Sequence, residues 1–500
     1  MQFLCNLFSG IYLFLIFLLS LYGLHRCWIL YLYFRYYKFA RPVSPPVIQG
    51  PWPSVTIQLP LYNERYVVER LLDSVCQMDY PPELLEVQVL DDSTDDTLEI
   101  VARKVRAMQQ RGIKISHLHR RDRTGYKAGA LESGLALCQG EFLAIFDADF
   151  LPPRDFLRRT LPYFQDPRVG MVQTRWGHLN ASHSLLTWVQ SLFLDGHFLL
   201  EHTARNRSGA FFNFNGTAGV WRRTAIVSSG GWQHDTLTED LDLSYRAQMQ
   251  GWHFIFLPEV VCPAELPVDI NAFKTQQHRW TVGAIQTAKK MLPPIWRSAL
   301  PLKVKVEATF HLTACVGYML MVAISLLLPL SLYFRTQVHW PVMVPIERVA
   351  LIATSTSILL FYVVCQRDLY PDWKLRIRNL PAMISIGVGM CISNAKAVLQ
   401  GMVGHRFEFH RTPKYSVQAG DSSWKRKLYR SGNSFAALVE LGFAAYLFIA
   451  TGVAYTSHQW ACLPFIALFF FGYAYVAFLT AMHGTSWERF AFFPIRRSKD

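Results

Sequence analysis

At 500 residues, 51% hydrophobic and only 17% charged, the chain is too apolar for a soluble protein alone, and soluble and membrane parts are expected together. A net charge of +14 would suit a nucleic-acid binder, but the basic residues are spread among loops that flank apolar runs, which argues for positive cytoplasmic flanks and against a nucleic-acid partner. Nine cysteines stand far apart, with no CxxC pair and no histidine at ligand spacing, so neither a disulfide scaffold nor a zinc site is expected.

Residues 7–24 are almost wholly apolar and run on into the aromatic stretch 28–37, long enough to cross a bilayer core. Nothing basic precedes them, whereas Arg26, Arg35, Lys38 and Arg41 follow, so residues 1–41 read as an uncleaved anchor and its flank, with the N-terminus outside. Residues 42–54 carry five prolines and form an extended linker. From Val55 the chain alternates β-rich runs (55–59, 86–90, 113–118, 142–146) with helical ones (67–77, 97–109, 127–138). That βαβ rhythm predicts a mostly parallel sheet whose ligands gather beyond the carboxyl ends of its strands, and a cytoplasmic α/β domain over 55–300. Leu185, Trp188, Val189, Leu192, Phe193, Leu199 and Leu200 keep one-face helical spacing, which suits a helix lying under the membrane or a core helix of the soluble domain equally.

Long apolar runs follow at 308–333, 349–364, 380–402, 435–454 and 461–482 within a C-terminal region, 301–500. Connectors poor in cations read as outside, and the basic connector from Arg406 to Arg430 and the basic tail read as inside. The run 380–402, with Ser385, Ser393, Asn394, Lys396 and Gln400, is a poor lipid-facing span and is assigned to the interface. One N-terminal and about four C-terminal spans result, with the C-terminus inside.

Acidic motifs sit where a parallel sheet collects its ligands. Asp91-Asp92 closes one strand, with Asp95 and Asp96 suited to cap the helix at Thr97. Asp147-Ala148-Asp149 closes another, and two carboxylates one residue apart can hold Mg²⁺ or Mn²⁺ that keeps waters and phosphates as further ligands. Lys127 opens a helix, where its ammonium and the helix N-terminus can both meet phosphate. Thr238-Glu239-Asp240 offers a carboxylate base and, equally, a helix-capping segment. In Gln276-Gln277-His278-Arg279-Trp280 an indole that can stack on an apolar face adjoins a guanidinium that can pair with anions, and taken alone the pair reads as an interfacial Trp-Arg anchor.

This ordered set resembles the inverting family 2 glycosyltransferases, and within them the membrane-embedded cellulose synthase and plant mannan synthase-like group. The resemblance covers about residues 55–414 and most of the spans. It implies a GT-A fold, with Tyr62 and Glu64 of Pro60-Leu61-Tyr62-Asn63-Glu64, together with Asp91 and Asp92, around the nucleoside. Lys127 and Asp147 would meet the diphosphate, Asp147 and Asp149 the metal, and Asp240, beside Glu239, would be the general base. Asn215 of Phe214-Asn215-Gly216-Thr217 would contact the acceptor together with Gln276, Arg279 and Trp280; asparagine stands there where cellulose synthases have cysteine. Phe409, Arg411, Thr412 and Lys414 resemble a mobile gating loop, placed at 405–420, with arginine in place of valine. No C-terminal cyclic-nucleotide-binding extension is expected.

The implied activity is transfer of a hexose from UDP-glucose or GDP-mannose to a growing β-linked glycan that passes outward between the helices. A transferase that glycosylates a lipid once is the runner-up, and a non-catalytic transporter or scaffold is the reading from another class. Membrane lipids are expected partners, and the bacterial inner membrane is ranked ahead of the Golgi membrane. Linkage, product length and accessory subunits stay open.

Overall fold

The structure, a computed structural model, describes residues 2–37, 48, 50–337, 343–404, 411–417, 424, 427 and 434–484. Seven strands form one sheet: β1 (Val55–Leu61), β2 (Leu85–Asp91), β3 (Ile115–His119), β4 (Phe142–Ile145), β5 (Val169–His178), β6 (Gly219–Arg222) and β7 (His253–Ala264). Their order is β3-β2-β1-β4-β6-β5-β7, and β6 alone runs against its neighbours among the described strands. The chain steps from β1 outward to β2 and β3, then returns to β4 on the other side of β1. A crevice therefore opens at the carboxyl ends of β1 and β4, where open α/β sheets bind ligands.

β4 reads as a continuous apolar run, and β1 is buried along nearly its whole length with Thr56 and Gln58 included, because helices cover both faces of the sheet. On one side Val67, Leu71, Leu72 and Val75 of the α2 segment (Val68–Val75) and Val101 and Val105 of α3 (Thr97–Gln110) pack on Ile57, Leu59, Val87 and Val89. On the other, α4 (Tyr126–Leu137) sets Leu131 and Leu135 among Leu143, Ile145 and Trp221. Of the two acids expected to cap α3, Asp95 accepts from the Thr97 N–H at 3.0 Å, whereas Asp96 makes no side-chain cap bond and pairs with Arg65 at 2.6 Å.

α5 (Leu185–Asp195) starts on a capping box in which Ser184 and Thr187 each bond the other's backbone N–H. Its Leu186, Val189 and Leu192 pack with Ile29 and Tyr33 of α1 (Gln2–Tyr37) and with Phe361, so the helix is the seam between the sheet domain and the apolar helices. Next come α6 (Glu239–Met249), α7 (Ile270–Arg297) and α8 (Leu302–Thr313), followed by α9 (Val316–Gln337) and α10 (Met343–Leu369). The chain continues through α11 (Leu380–Gly389), α12 (Cys391–Val403), α13 (Ser434–Thr456) and α14 (Leu463–Gly484).

Five segments are long and apolar enough to cross a membrane: Asn6–Tyr36, Val316–Phe334, Pro345–Leu369, Phe435–Thr456 and Trp460–His483. The pair Trp373–Gly389 and Cys391–Val403 is bent by 44° and would make a sixth if it counts as one span. This is the run assigned to the interface, and it breaks at its glycine, where Gly389 packs so closely on α14 that an added Cβ would strike the Gly472 carbonyl. Small residues at such crossings let helix backbones approach where lipid supplies no hydrophobic drive.

Candidate active site

The crevice holds one cavity of about 190 Å³, lined by the ends of β1 and β4, the start of α4, the 215–216 turn, the start of α6, one face of α7 and the segment 411–414. At its outer end Tyr62 and Glu64 follow β1. Asn63 between them sits at φ 56°, a left-handed conformation that asparagine tolerates, and its side-chain oxygen accepts from the Thr94 N–H at 2.8 Å. Asn63-Glu64 therefore belongs to a turn; α2 carries no side-chain cap. The Arg123 guanidinium lies 3.3 Å from the Tyr62 ring centroid, a cation–π contact that no motif signalled.

The two carboxylates closing β2 separate. Asp92 lines the cavity, with Arg120 donating to both its oxygens at 2.8 and 2.6 Å. Asp91 is fully buried and does not line the cavity. Burial opposes its charge, but bonds from His117 at 2.8 Å and the Ser93 N–H at 2.8 Å outweigh it and hold the carboxyl below its ordinary range.

Beyond β4 each carboxylate of Asp147-Ala148-Asp149 meets a lysine. Lys127 Nζ donates to Asp147 Oδ1 at 2.5 Å and to the Gly216 carbonyl at 2.8 Å, and Lys414 Nζ donates to Asp149 Oδ2 at 2.5 Å. Burial works against the Lys127 charge, but Asp147, Glu239 and Asp240 together hold its pKa above the ordinary range. Lys127 reaches in because α4 opens on Gly125 at φ 76°, a backbone conformation that glycine adopts without strain. Among the described residues no group of three or more His, Cys, Asp or Glu converges to hold a metal. Two oxygen-bearing side chains with lysines at hand fit a hard ion that completes its shell with diphosphate and water.

The inner end is built by α6 and α7. They approach through Gly283, where an added Cβ would come within 2.5 Å of Thr238 Oγ1, so Thr238-Glu239-Asp240 is pressed against the face bearing Gln276, Arg279 and Trp280. Burial pushes the Asp240 carboxyl up to about 7, the neighbouring Glu239 adds to the rise, and Lys127 opposes it. Glu239 is raised too, by burial against the pull of Lys127. Arg279 donates to Thr412 Oγ1 at 3.0 Å; burial lowers its pKa against the attraction of Asp147 and Glu239.

Residues 411–417 close the cavity from above. Arg411 donates to the Tyr62 carbonyl at 3.1 Å and stands 3.7 Å from Glu64, whose carboxyl burial pushes up to about 8. Glu265 anchors the segment, accepting from the Tyr415 N–H at 2.8 Å and from Arg70 at 2.8 Å. Phe409 lies outside the described residues. Of the other residues singled out in the sequence, all but Asp91 line this one cavity. Arg123, Glu265 and the histidines behind Asn215 carried no motif, and only their contacts reveal them.

A largely parallel sheet whose acidic strand ends, two lysines, Asp240 and Trp280 border one cavity has the architecture of a GT-A-type nucleotide-sugar transferase. The chain belongs to glycosyltransferase family 2: residues 53–283 match the family described as "Glycosyltransferase like family 2". The probable glucomannan 4-beta-mannosyltransferase 9 of Oryza sativa subsp. japonica is 35% identical over 454 residues, 85% of this chain and 82% of that protein. Glucomannan 4-beta-mannosyltransferase 1 of Cyamopsis tetragonoloba is 44% identical over 249 residues, covering 49% of this chain and 47% of its own length. In fold the chain is similar to the mannosyltransferase PcManGT of Pyrobaculum calidifontis, solved with GDP-Man and Mn²⁺, with a TM-score of 0.51 and 22% identity over 78% of this chain and 99% of that one.

Proposed function

We propose that this chain is a membrane-embedded inverting mannosyltransferase that carries mannose from GDP-mannose to the end of a β-linked glycan and passes the product outward between its helices. The observation that carries the reading is the convergence of Lys127, Asp147, Asp149, Asp240, Arg279 and Trp280 on one cavity at the switch point of the sheet. The names of the similar plant proteins favour mannose as the donor sugar over glucose, and their plant origin favours the Golgi membrane, the second of the two locations weighed from sequence, over the bacterial inner membrane ranked first.

The residues divide the work along the cavity. Tyr62, Glu64 and Asp92 border the nucleoside, with Arg411 closing over it; Asp91 supports that wall from beneath. Asp147 and Asp149 would hold Mn²⁺ or Mg²⁺, which supplies charge stabilisation for the departing diphosphate. Lys127 and Lys414 already stand beside those carboxylates and can turn to phosphate oxygens. Asp240 takes the acceptor hydroxyl proton as that oxygen attacks the anomeric carbon opposite the leaving group, so an α-linked donor gives a β-linkage. Trp280 offers its indole to the acceptor ring, and the segment 411–414 gates the donor.

The test is turnover by full-length protein in detergent with Mn²⁺ or Mg²⁺, offering GDP-mannose and UDP-glucose separately and following nucleotide release and product size. Asp240→Asn is expected to lower transfer by about 10²–10⁴-fold with GDP affinity unchanged. A β-mannanase-sensitive polymer from GDP-mannose supports the reading. A polymer from UDP-glucose replaces the donor, a lone glycolipid product replaces the polymer, and an Asp240→Asn enzyme of wild-type rate removes the base.

A further inference from the structure

Asn215 lines the cavity next to Gly216, a position where an added Cβ would come within 2.9 Å of an Asp240 carboxylate oxygen. Behind it two imidazoles grip its carboxamide by different atoms. His202 Nε2 lies 2.6 Å from Asn215 Oδ1, and His197 Nε2 lies 3.0 Å from Asn215 Nδ2. The Glu201 carboxylate, which only accepts from His197 Nδ1, and the amide together set both tautomers. Oδ1 only accepts, so His202 carries a proton on Nε2; Nδ2 only donates, so His197 Nε2 presents its lone pair and the ring proton sits on Nδ1, 3.2 Å from Glu201 Oε2. Burial holds the His202 pKa well below the ordinary imidazole range, which keeps that ring neutral with a single N–H.

The backbone is shaped for this pairing. His197 and His202 both lie in a π-helical turn, Gly196–His202, that continues α5. In an α-helix residues five apart point about 140° away from each other, whereas an i→i+5 turn brings them to nearly the same face. Here the two rings stand 4.4 Å apart, centroid to centroid. The turn is also tied down, since Glu201 accepts from Arg205 at 3.0 Å and pairs with Arg26 of α1, while Arg205 donates to Glu307 of α8 at 3.0 Å. The Asn215 backbone N–H donates to Gln173 Oε1 at 3.0 Å, which fixes the other end of the residue.

We propose that His197 and His202 are positioning residues for the acceptor: they lock the Asn215 carboxamide in one orientation, leaving one N–H and one carbonyl lone pair to hold neighbouring hydroxyls at the growing end of the glycan. The proposal rests on the acceptor assignment of Asn215 made above. It also accounts for the asparagine that replaces cysteine here. A carboxamide offers a donor and an acceptor side by side, but only a fixed one tells them apart, and the two rings fix it.

The experiment compares His197→Ala and His202→Ala with His197→Gln and His202→Gln in the full-length protein, with a β-1,4-linked mannohexaose as acceptor and GDP affinity measured separately. A glutamine side chain can accept in place of His197 Nε2 and donate in place of His202 Nε2. Loss of one anchoring bond is expected to raise the acceptor KM about tenfold in each alanine variant, with the larger part of the loss in KM rather than kcat, GDP affinity unchanged, and substantial recovery in the glutamine variants. Unchanged acceptor KM in the alanine variants overturns the proposal. So does a joint fall in KM-based efficiency, kcat and GDP affinity without rescue, which is how a merely structural pair would behave. A wild-type enzyme that consumes donor but elongates no oligosaccharide overturns the positioning role and leaves the transferase reading intact, whereas failure of the wild type to bind GDP or turn over either donor removes both.

Discussion

Burial would tune Asp240 for the base role proposed for it. Its carboxyl is pushed up to about 7 by burial and by Glu239, against the pull of Lys127. A general base works only when ionised, so kcat/KM is expected to fall about tenfold per pH unit below about 7 and to level off above it. An acid limb near 4 in kcat/KM overturns this expectation, whereas a limb that moves toward 4 only in kcat shows that bound donor and its cation restore the ordinary carboxylate value. The residues that line the cavity were legible because acids close the predicted strands and because the ordered motifs resemble those of family 2 glycosyltransferases. The partners that decide what each acid can do were not. Nothing near Asp92 in sequence announces Arg120, 28 residues on, which takes both its oxygens, and nothing near Asn215 announces His197 and His202.

Elements were read well where local pattern and tertiary demand agree. The predicted strand 86–90 is β2 (Leu85–Asp91) and the predicted helix 97–109 is α3 (Thr97–Gln110): the short valine-rich run of the first is buried on both faces, and the second buries Val101, Val105 and Met108 at helical spacing. β5, β6 and β7 all escaped; β6 has four residues, too few for a period, and the three pair with one another and with β4 over long sequence separations. The π-helical turn escaped for the same reason: one extra residue per turn leaves no signature in composition. At the α11–α14 crossing, Gly389 and Gly472 allow backbone contact that any side chain would block. Gly472→Leu is therefore expected to force the helices apart and cost about 1–3 kcal/mol, visible as a lower unfolding midpoint in detergent, whereas Gly442→Ala, in open space, should leave that midpoint unchanged.

Across the whole molecule, sheet domain and apolar helices share buried charge. Arg205 and Glu307, each with a side chain 3% exposed, pair at 3.0 Å, and His25 of α1 meets Glu307 at 2.9 Å. Removing one partner of a buried pair leaves the other uncompensated. Arg26→Ala, which strips Glu201 of one of its two cationic partners, is expected to cost about 1–3 kcal/mol, discounted from the fully buried case because the Arg26 side chain is 30% exposed; thermal unfolding in detergent would measure it. The consequence reaches beyond stability. A globular enzyme tethered by a passive anchor can be cut loose, moved to another carrier or evolved as an interchangeable cassette. Here Arg26 of the first apolar helix is a counter-ion to Glu201 in the turn that carries His197 and His202, so a sheet domain cut from that helix is expected to lose the setting of the turn proposed to orient Asn215.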